Sequence, residues 1–335
     1  MMSEKPFHRF SFVHSPALAP GASVVSFVVK HVMRIQIKVP ATSANLGPGF
    51  DSLGLALDLW NETTIIPAIE FSVMINGEGK ERLSQGENNL VIRAARKLAE
   101  RVGKHLPPFH ANCVNRIPPG SGLGSSAAAT LTGLLSANTL LGNAMSHEDI
   151  LNLGAEMEGH ADNIATALLG GLVISTSNDG NVFAHKIDLG ASHDSHLHIV
   201  AVVPDFHFPT KQARAALPEQ ISRQDAVHNI SHAALVTEAL RSGDLNLLGK
   251  AMTDTLHEPY RVPLIPGAQA AMEGMKRAGA SAVVLSGAGP SLIAFSSKAD
   301  SDIGLAATRA FEDRGLSARC FQLKMSSHGA EIQIR

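Results

Sequence analysis

Three glycines alternate with other residues just ahead of an apolar stretch of helical period, in the run "RIPPGSGLGSSAAATLTGLL" at residues 116 to 135. Because glycine has no Cβ, Gly120, Gly122 and Gly124 allow backbone N–H groups to converge on a ligand. The following helix presents its positive end to the same point. Ser125 and Ser126 lie in the first turn, where a hydroxyl can cap the helix, contact a phosphate or bind Mg²⁺. The stretch predicts a phosphate site; a tight turn packed against a strand is the alternative.

Two better-known phosphate loops do not fit this stretch. The dinucleotide-binding spacing would require glycine at position 125, which is Ser125. The pattern GxxxxGK[ST] is also absent, because "GDLNLLGKA" has one residue too many and places Ala251 after Lys250. The sequence therefore excludes both of these common nucleotide-binding motifs.

Two further loops of small residues lie between strand-like runs: "PATSANLGPGFDSLG" near the start and "LSGAGPSLIAF" near the end. The first is too rich in Gly, Pro, Ser and Asn for a helix or strand, and we interpret it as a long ordered loop. Its Asn45 and Asp51 can serve a ligand or simply form Asx-turns. The second loop is equally consistent with a plain hairpin turn between "SAVVL" and "SLIAF".

Alternating strand and helix patterns surround these loops from Met33 onward, without repeats or low-complexity linkers. The last part of the chain is typical of a two-layer α+β unit. The apolar periodicity is interrupted by "LGASHDSH", which predicts a domain boundary near residues 190 to 200. We therefore predict one domain over residues 33–195 and a second over residues 196–335.

Composition excludes several classes of function. With 44% hydrophobic residues, 17% charged residues and a net charge of -2, the chain is typical of globular proteins and offers no basic field for nucleic acid. Its apolar runs are shorter than the roughly 18 residues of a membrane span. Cys113 and Cys320 lie in apolar, strand-like surroundings, so we expect reduced core residues of a cytoplasmic protein rather than a disulfide.

The first 32 residues differ from the rest, with four Phe, three Pro and no clear period. Lys5, Arg9 and Lys30 against Glu4 give a weak similarity to a transit peptide. We predict a poorly ordered N-terminal extension, or an upstream start codon ahead of Met33.

In their order and spacing, the three loops resemble the signature motifs of the GHMP kinases, a superfamily of ATP-dependent small-molecule kinases. The middle motif, "PPGSGLGSSAA", is the most specific of them. The resemblance extends from Met33 to the C-terminus. It implies an α+β fold with an N-terminal ribosomal-protein-like domain and a C-terminal ferredoxin-like domain, with ATP bound between them.

Four stretches narrow the resemblance to the homoserine kinases: "VPATSANLGPGFDSLGLALDLWNE", "EGHADNIATALLGG", "TKQARAALP" and "HEPYRVPLIPG". That family phosphorylates the side-chain hydroxyl of L-homoserine on the way to threonine. The resemblance implies that Arg214 and Arg261 bind the substrate carboxylate, for which a guanidinium fork is suited. It further places Asn45, Asp51, His160, Asp162 and Asn163 at the substrate pocket.

The resemblance also implies Mg²⁺, ATP and a homodimer. We assign the metal to Ser126 and Glu158, with Glu156 as the competing glutamate. Asp51, Asp162 and Thr210 are the candidates for the side chain that orients the substrate hydroxyl or accepts its proton, and the sequence does not choose between them. Phosphoryl transfer through a loose transition state can also proceed without a strong base. The predicted ATP-binding residues are Pro118, Pro119, Gly120, Ser121, Gly122, Leu123, Gly124, Ser125, Ser126, Gly287 and Gly289.

Two alternatives remain at this point. Another small-molecule GHMP kinase is disfavoured by the paired arginines and "NLGPGFD". A catalytically inactive relative that binds ligand and signals to a partner would be expected to lack glycine-loop or metal residues, and "GSGLGSS", Glu158 and Asp51 are all present.

Overall fold

The computed structural model describes residues 33–189 and 197–335. The predicted extension, residues 1–32, lies outside the described residues, and so does the segment 190–196 at the predicted domain boundary. The described chain is a mixed α+β structure with one seven-stranded and one four-stranded sheet. This confirms the predicted fold class, whereas the division into two domains stays a prediction.

Seven strands form the first sheet: β1 (Ile35–Ala44), β2 (Leu53–Pro67), β3 (Ser72–Gly77), β4 (Phe109–Asn115), β5 (Leu172–Asn178), β6 (Asn181–Ile187) and β11 (Glu331–Ile334). The order is β11-β1-β2-β4-β3, with β5 beside β2 and β6 beside β5. Pairing is antiparallel except between β3 and β4. The β1–β2 register shifts between Pro40 and Ala41, so the strand pair is irregular where the first loop approaches.

Four helices accompany this sheet: α1 (Leu90–Arg101), α2 (Ser125–Leu140), α3 (His147–Glu158) and α4 (Asp162–Leu169). The central one, α2, is buried on nearly all sides, which its small residues permit. A Cβ on its Gly133 would come within 2.2 Å of the Val91 carbonyl oxygen, so α1 packs directly on its backbone. The buried hydroxyls of Thr132 and Ser136 donate to carbonyls four residues earlier. The helix that follows the glycines is thus fixed in the core.

The second sheet contains β7 (His198–Pro204), β8 (Ala282–Leu285), β9 (Leu292–Ser296) and β10 (Ala318–Leu323), in the order β10-β7-β9-β8. Its helices are α5 (Thr210–Ala215), α6 (Arg223–Ser242), α7 (Leu245–Ala251), α8 (Glu258–Arg261), α9 (Ala268–Arg277) and α10 (Ser301–Glu312), with a 3-10 turn at Val262–Leu264.

Both faces of the second sheet are buried at β7, β8 and β9. Ile199 and Ala201 of β7 belong to the apolar cluster that also contains the core residues of the first sheet. Val200 and Val202 point to the opposite face, into a second cluster with α9 and α10. This arrangement explains the continuous apolar runs of these strands, and it joins the two sheets through a shared core.

The structure corrects two expectations and adds one strand. Strand β1 continues through Ala44, so the first loop begins only at Asn45. The short strand β11 was not predicted, and it returns the C-terminus to β1 in the first sheet. Cys113 is buried as expected, but Cys320 is exposed, because β10 forms the edge of its sheet.

None of the described helices combines the length and the apolar character needed to cross a membrane.

Candidate active site

The glycine loop between β4 and α2 contains three residues with left-handed backbone conformations, Gly120, Gly122 and Gly124, at φ of 70°, 86° and 73°. Space is a second constraint at two of them. A Cβ on Gly122 would lie 2.3 Å from the Ser286 carbonyl oxygen, and one on Gly124 would lie 2.0 Å from Thr42 Oγ1. Gly120 faces open space. The loop therefore needs glycine for its backbone shape and for close packing.

Helix α2 begins at this loop without a side-chain cap. Gly124 is the N-cap residue, and no side chain in the described part of the chain caps the first turn. The free N–H groups and the helix dipole at this end favour an anion. Ser121 stabilises the loop conformation, because its Oγ donates a hydrogen bond to the Pro118 carbonyl at 2.7 Å.

Most of the predicted site residues line one cavity at this helix end. The lining includes Asn45, Asp51, Gly120, Ser121, Gly122, Gly124, Ser125, Ser126, Glu158, His160, Asp162, Asn163, Thr210, Arg214, Arg261, Gly287 and Gly289. Three predicted residues lie elsewhere. The Leu123 side chain is fully buried in the core, while Pro118 and Pro119 border neighbouring cavities.

Asn45 and Asp51 close the first loop in left-handed conformations, at φ of 71° and 53°, which Asn and Asp tolerate better than most residues. Asn45 Oδ1 accepts the Asp51 backbone N–H at 3.0 Å, and Asn45 Nδ2 donates to the Gly287 carbonyl at 2.8 Å. The Asn45 side chain spans six residues to Asp51, so this bond is not an Asx-turn but closes the whole first loop, and Asn45 also ties that loop to the last.

The two predicted carboxylate-binding arginines differ in their partners. Arg214 forms a bidentate ion pair with Asp51, at 2.9 and 3.0 Å. Arg261 is only 2% exposed and has no ion-pair partner among the described residues. Burial, and then the charge of Arg214, lower the pKa of Arg261 to about 10. Arg261 is thus a buried cation at the edge of a cavity, and an anionic ligand in that cavity would compensate its charge.

A network of polar side chains fixes the start of α4. His160 Nδ1 lies 2.7 Å from Asp162 Oδ1, which also accepts the Asn163 backbone N–H. Thr42 Oγ1 donates to Asn163 Oδ1 at 2.6 Å. Burial would lower the pKa of His160, but the hydrogen bond and charge of Asp162 outweigh it and raise that pKa.

Glu158 and Ser126, the two residues predicted to bind the metal, lie within hydrogen-bond distance of each other. Both Ser126 and Thr130 donate to Glu158 Oε1, at 2.8 and 2.7 Å. The competitor, Glu156, points away and pairs with Lys97 and Arg101 on the surface. The geometry favours Glu158 over Glu156 as the glutamate of this cavity.

The last loop joins β8 to β9 as a hairpin and docks on both other loops. Ser286 Oγ donates to the Gly122 carbonyl at 2.8 Å and lies 2.9 Å from Ser43 Oγ. The backbone N–H of Ser291 donates to the Ser121 carbonyl. The hairpin interpretation is therefore correct, and Gly287 and Gly289 of this loop line the cavity, whereas their role in binding ATP stays a prediction.

Several lining or supporting residues were missed by the sequence analysis. His207, Phe208, Pro209 and Ala288 also line the cavity. His257 is fully buried, and its Nε2 lies 2.9 Å from the Gly47 carbonyl oxygen. It occurs in the quoted stretch "HEPYRVPLIPG", but a single histidine gave no signal that would separate it from an ordinary core residue.

A second cavity adjoins the first across the glycine loop. Gly120, Ser125 and Ser126 line both. Its remaining lining is mainly neutral, from the β2, β4 and α1 side of the loop, and includes Asn61, Thr63, Asn89, Cys113 and Ala129. The glycine loop thus separates a charged cavity from a neutral one.

Comparison with known proteins gives a consistent result. The family model for the GHMP kinases N terminal domain matches residues 89–171, and that for GHMP kinases C terminal matches residues 236–312. A homoserine kinase from Moorella thermoacetica is 40% identical over 296 residues, covering 88% of this chain and 99% of that protein. One from Deinococcus radiodurans is 42% identical over 259 residues, covering 77% and 83%. The crystal structure of homoserine kinase from Cytophaga hutchinsonii superposes with a TM-score of 0.78 at 31% identity, covering 90% of this chain and 97% of that one.

Proposed function

The chain belongs to the homoserine kinase family of GHMP kinases, and from this premise we propose that it transfers the terminal phosphoryl group of ATP to the side-chain hydroxyl of L-homoserine. The product would be O-phospho-L-homoserine, a precursor of threonine.

The observation that carries this proposal is that buried Arg261 and the uncapped N-terminal end of α2 line the same cavity. A guanidinium without a carboxylate partner suits the substrate carboxylate. The carboxylates of Asp51 and Asp162 are the acceptors available for the substrate ammonium. The cavity therefore matches a small zwitterion placed next to a phosphate site.

For the nucleotide, the helix end and the glycine loop would hold the phosphates. The neutral cavity across the loop then suits the nucleoside, because Asn61 and Thr63 offer an amide and a hydroxyl for a base or ribose. This placement directs the terminal phosphate toward the charged cavity.

The donor set also fits Mg²⁺, which favours oxygen ligands and usually takes one or two from the protein. Ser126 Oγ and the Glu158 carboxylate would hold the ion, and Thr130 fixes the orientation of that carboxylate. When bound, Mg²⁺ would neutralise charge on the transferring phosphate.

The chain's own residues act mainly by positioning. Asp51 is engaged by both terminal nitrogens of Arg214, and Asp162 by His160 and Asn163. Thr210 is exposed at the start of α5. Because both aspartates are already held in place by these hydrogen bonds, we propose that they orient the ammonium and hydroxyl while the loop amides stabilise the transition-state charge.

The test is coupled ADP release from purified protein with Mg²⁺-ATP, offering L-homoserine, L-threonine, mevalonate and galactose separately. We expect turnover with homoserine alone. Turnover with a different acceptor would replace the proposed substrate, and ATP binding without turnover on any of them would support an inactive relative. The cytoplasmic location and the homodimer stay predictions from the sequence.

A further inference from the structure

Phe50 lies in the first loop, between Gly49 and Asp51, and none of the roles described above uses its side chain. The ring is partly buried beside the charged cavity. Three other side chains of the substrate region lie against it.

Both arginines of the cavity face this ring. Arg261 Cζ lies 5.1 Å from the ring centroid and Arg214 Cζ lies 5.9 Å from it. Both distances fall within the roughly 6 Å over which the electron-rich face of an aromatic ring attracts a cation. One phenyl ring therefore lies within cation–π range of two guanidinium groups, which come from different helices, α5 and α8.

An aromatic ring at this point partly offsets the repulsion between the two positive charges. The two guanidinium groups repel each other, and only Arg214 has a carboxylate partner among the described residues. Burial and the charge of Arg214 both lower the pKa of Arg261, because each makes the charged form of this guanidinium less favourable. An aromatic face attracts a cation without neutralising it, so Arg261 keeps its positive charge for an anionic ligand, while Arg214 is held by the ring and by Asp51 together.

The ring is itself held in place by His257. The two rings stack with centroids 5.3 Å apart and an interplanar angle of 28°. His257 Nε2 lies 2.9 Å from the Gly47 carbonyl oxygen of the same loop, and its Nδ1 lies 3.4 Å from Arg261 Nη1. Burial lowers the pKa of His257, so this imidazole stays neutral and adds no third positive charge.

We propose that Phe50 is a positioning residue that holds the guanidinium groups of Arg214 and Arg261 where they bind the carboxylate of the amino-acid substrate. This inference rests on the proposed function. It assigns a role in substrate recognition to an apolar side chain of the first loop.

The test compares Phe50→Leu, which removes the aromatic face but keeps an apolar side chain, with Phe50→Tyr, which keeps the face. We expect Phe50→Leu to raise the KM for homoserine roughly 2- to 30-fold, the range that corresponds to a cation–π contact, with the KM for ATP nearly unchanged. Phe50→Tyr should stay close to the wild-type KM. A merely structural role would raise both KM values or lower only the melting temperature.

Phe71→Leu is the matched control, because Arg96 Cζ lies 4.9 Å from the Phe71 ring, which is not among the residues lining the cavity. It should leave both KM values unchanged. If Phe50→Leu does not fold, Phe50→Met replaces it. A wild-type KM for homoserine in the folded variant overturns the role of Phe50. Absence of wild-type turnover with homoserine overturns the proposed function instead, so the two failures are distinct.

Discussion

Arg261 is a buried cation whose hydrogen bonds go to neutral groups. Its Nε donates to the Ala213 carbonyl at 3.2 Å, and its Nη1 lies 3.4 Å from both the Gly287 carbonyl oxygen and His257 Nδ1. Removing the solvation of a guanidinium is costly unless a charged partner compensates. The substrate carboxylate is the group that we expect to provide this compensation.

Replacing Arg261 by Ala should therefore raise the KM for homoserine far more than the KM for ATP. A hydrogen bond to a charged group contributes about 1.5 to 3 kcal/mol, which corresponds to roughly 10- to 150-fold in KM. Steady-state kinetics with each substrate varied in turn measures the difference. Arg241→Ala, which removes an exposed arginine paired with Glu238, is the control and should change neither value. Equal effects of Arg261→Ala on both substrates would contradict the assignment.

Ser126→Ala should weaken the use of Mg²⁺ while leaving the fold intact. The hydroxyl bonds to Glu158 at 2.8 Å, and loss of a ligand or of its support typically costs roughly 10-fold or more in metal affinity. The measurement is a Mg²⁺ titration of ADP release at fixed ATP. Ser136→Ala, on the same helix but bonded to the Thr132 carbonyl, should behave as wild type. An unchanged titration for Ser126→Ala would exclude Ser126 as a ligand.

At the scale of elements, the short helix α8 places Arg261 and is anchored at its start by two carboxyl groups. Asp254 Oδ2 accepts the backbone N–H groups of His257 and Glu258. Glu258 Oε1 accepts the Leu285 N–H at 2.6 Å, at the end of β8 just before the last loop. Helix α8 is too short to be stable by itself, so these contacts and the packing around it determine its position.

The carboxyl group of the partly buried Glu258 predicts a pH-dependent stability. Burial, aided by the nearby charge of Asp254, raises the pKa of Glu258 from 4.5 to about 8. Between these pH values the folded chain holds a proton that the unfolded chain releases, so this contribution to stability is lost as pH rises toward and through 8. The loss cannot exceed about 1.4 kcal/mol per pH unit for one proton.

Glu258→Gln removes this titration and keeps the acceptor for Leu285. Urea unfolding of wild type and variant at several pH values from 5 to 9 is the measurement, and the variant should gain stability relative to wild type as pH rises. Glu238→Gln, at an exposed glutamate of α6, provides the control. Parallel stability curves for wild type and Glu258→Gln would show that Glu258 is ionised in the folded protein.

At the scale of the whole molecule, the two ends of the described chain meet in one sheet. Strand β11 pairs with β1 from Ile35↔Ile334 to Lys38↔Glu331, and Arg34 and Arg335 exchange backbone hydrogen bonds. Strand β1 continues from this pairing to Thr42 and Ser43, which contact the site. The C-terminal strand β11 thus pairs with the strand that leads into the first loop.

Ending the chain after Ala330 should lower the free energy of unfolding by roughly 2 kcal/mol or more, since each backbone hydrogen bond contributes about 1 kcal/mol. Urea unfolding monitored by circular dichroism would measure it. Ile334→Thr keeps the backbone of β11 and changes a side chain that is 61% exposed, so its effect should be small. An unchanged unfolding midpoint for the shortened chain would mean that β11 adds nothing to stability.

The sequence by itself determined the chemistry of the three loops, because that chemistry depends on local residue types. Alternating glycines before an apolar helix predict converging N–H groups whatever the rest of the chain does, and Asn45 and Asp51 suit the left-handed conformations that the structure shows. The family resemblance then assigned side chains, and nearly all of them line one cavity.

Only the tertiary structure decided how these parts meet, because contacts between distant residues leave no periodic signal in the sequence. The choice of Glu158 over Glu156 depends on which helix face meets Ser126. The ring of Phe50 between two arginines, and Ser286 against Gly122, join segments more than 160 positions apart. Strand β11 was missed for the same reason, since these four residues, three of them exposed, become a strand only because the edge of β1 is there to pair with them.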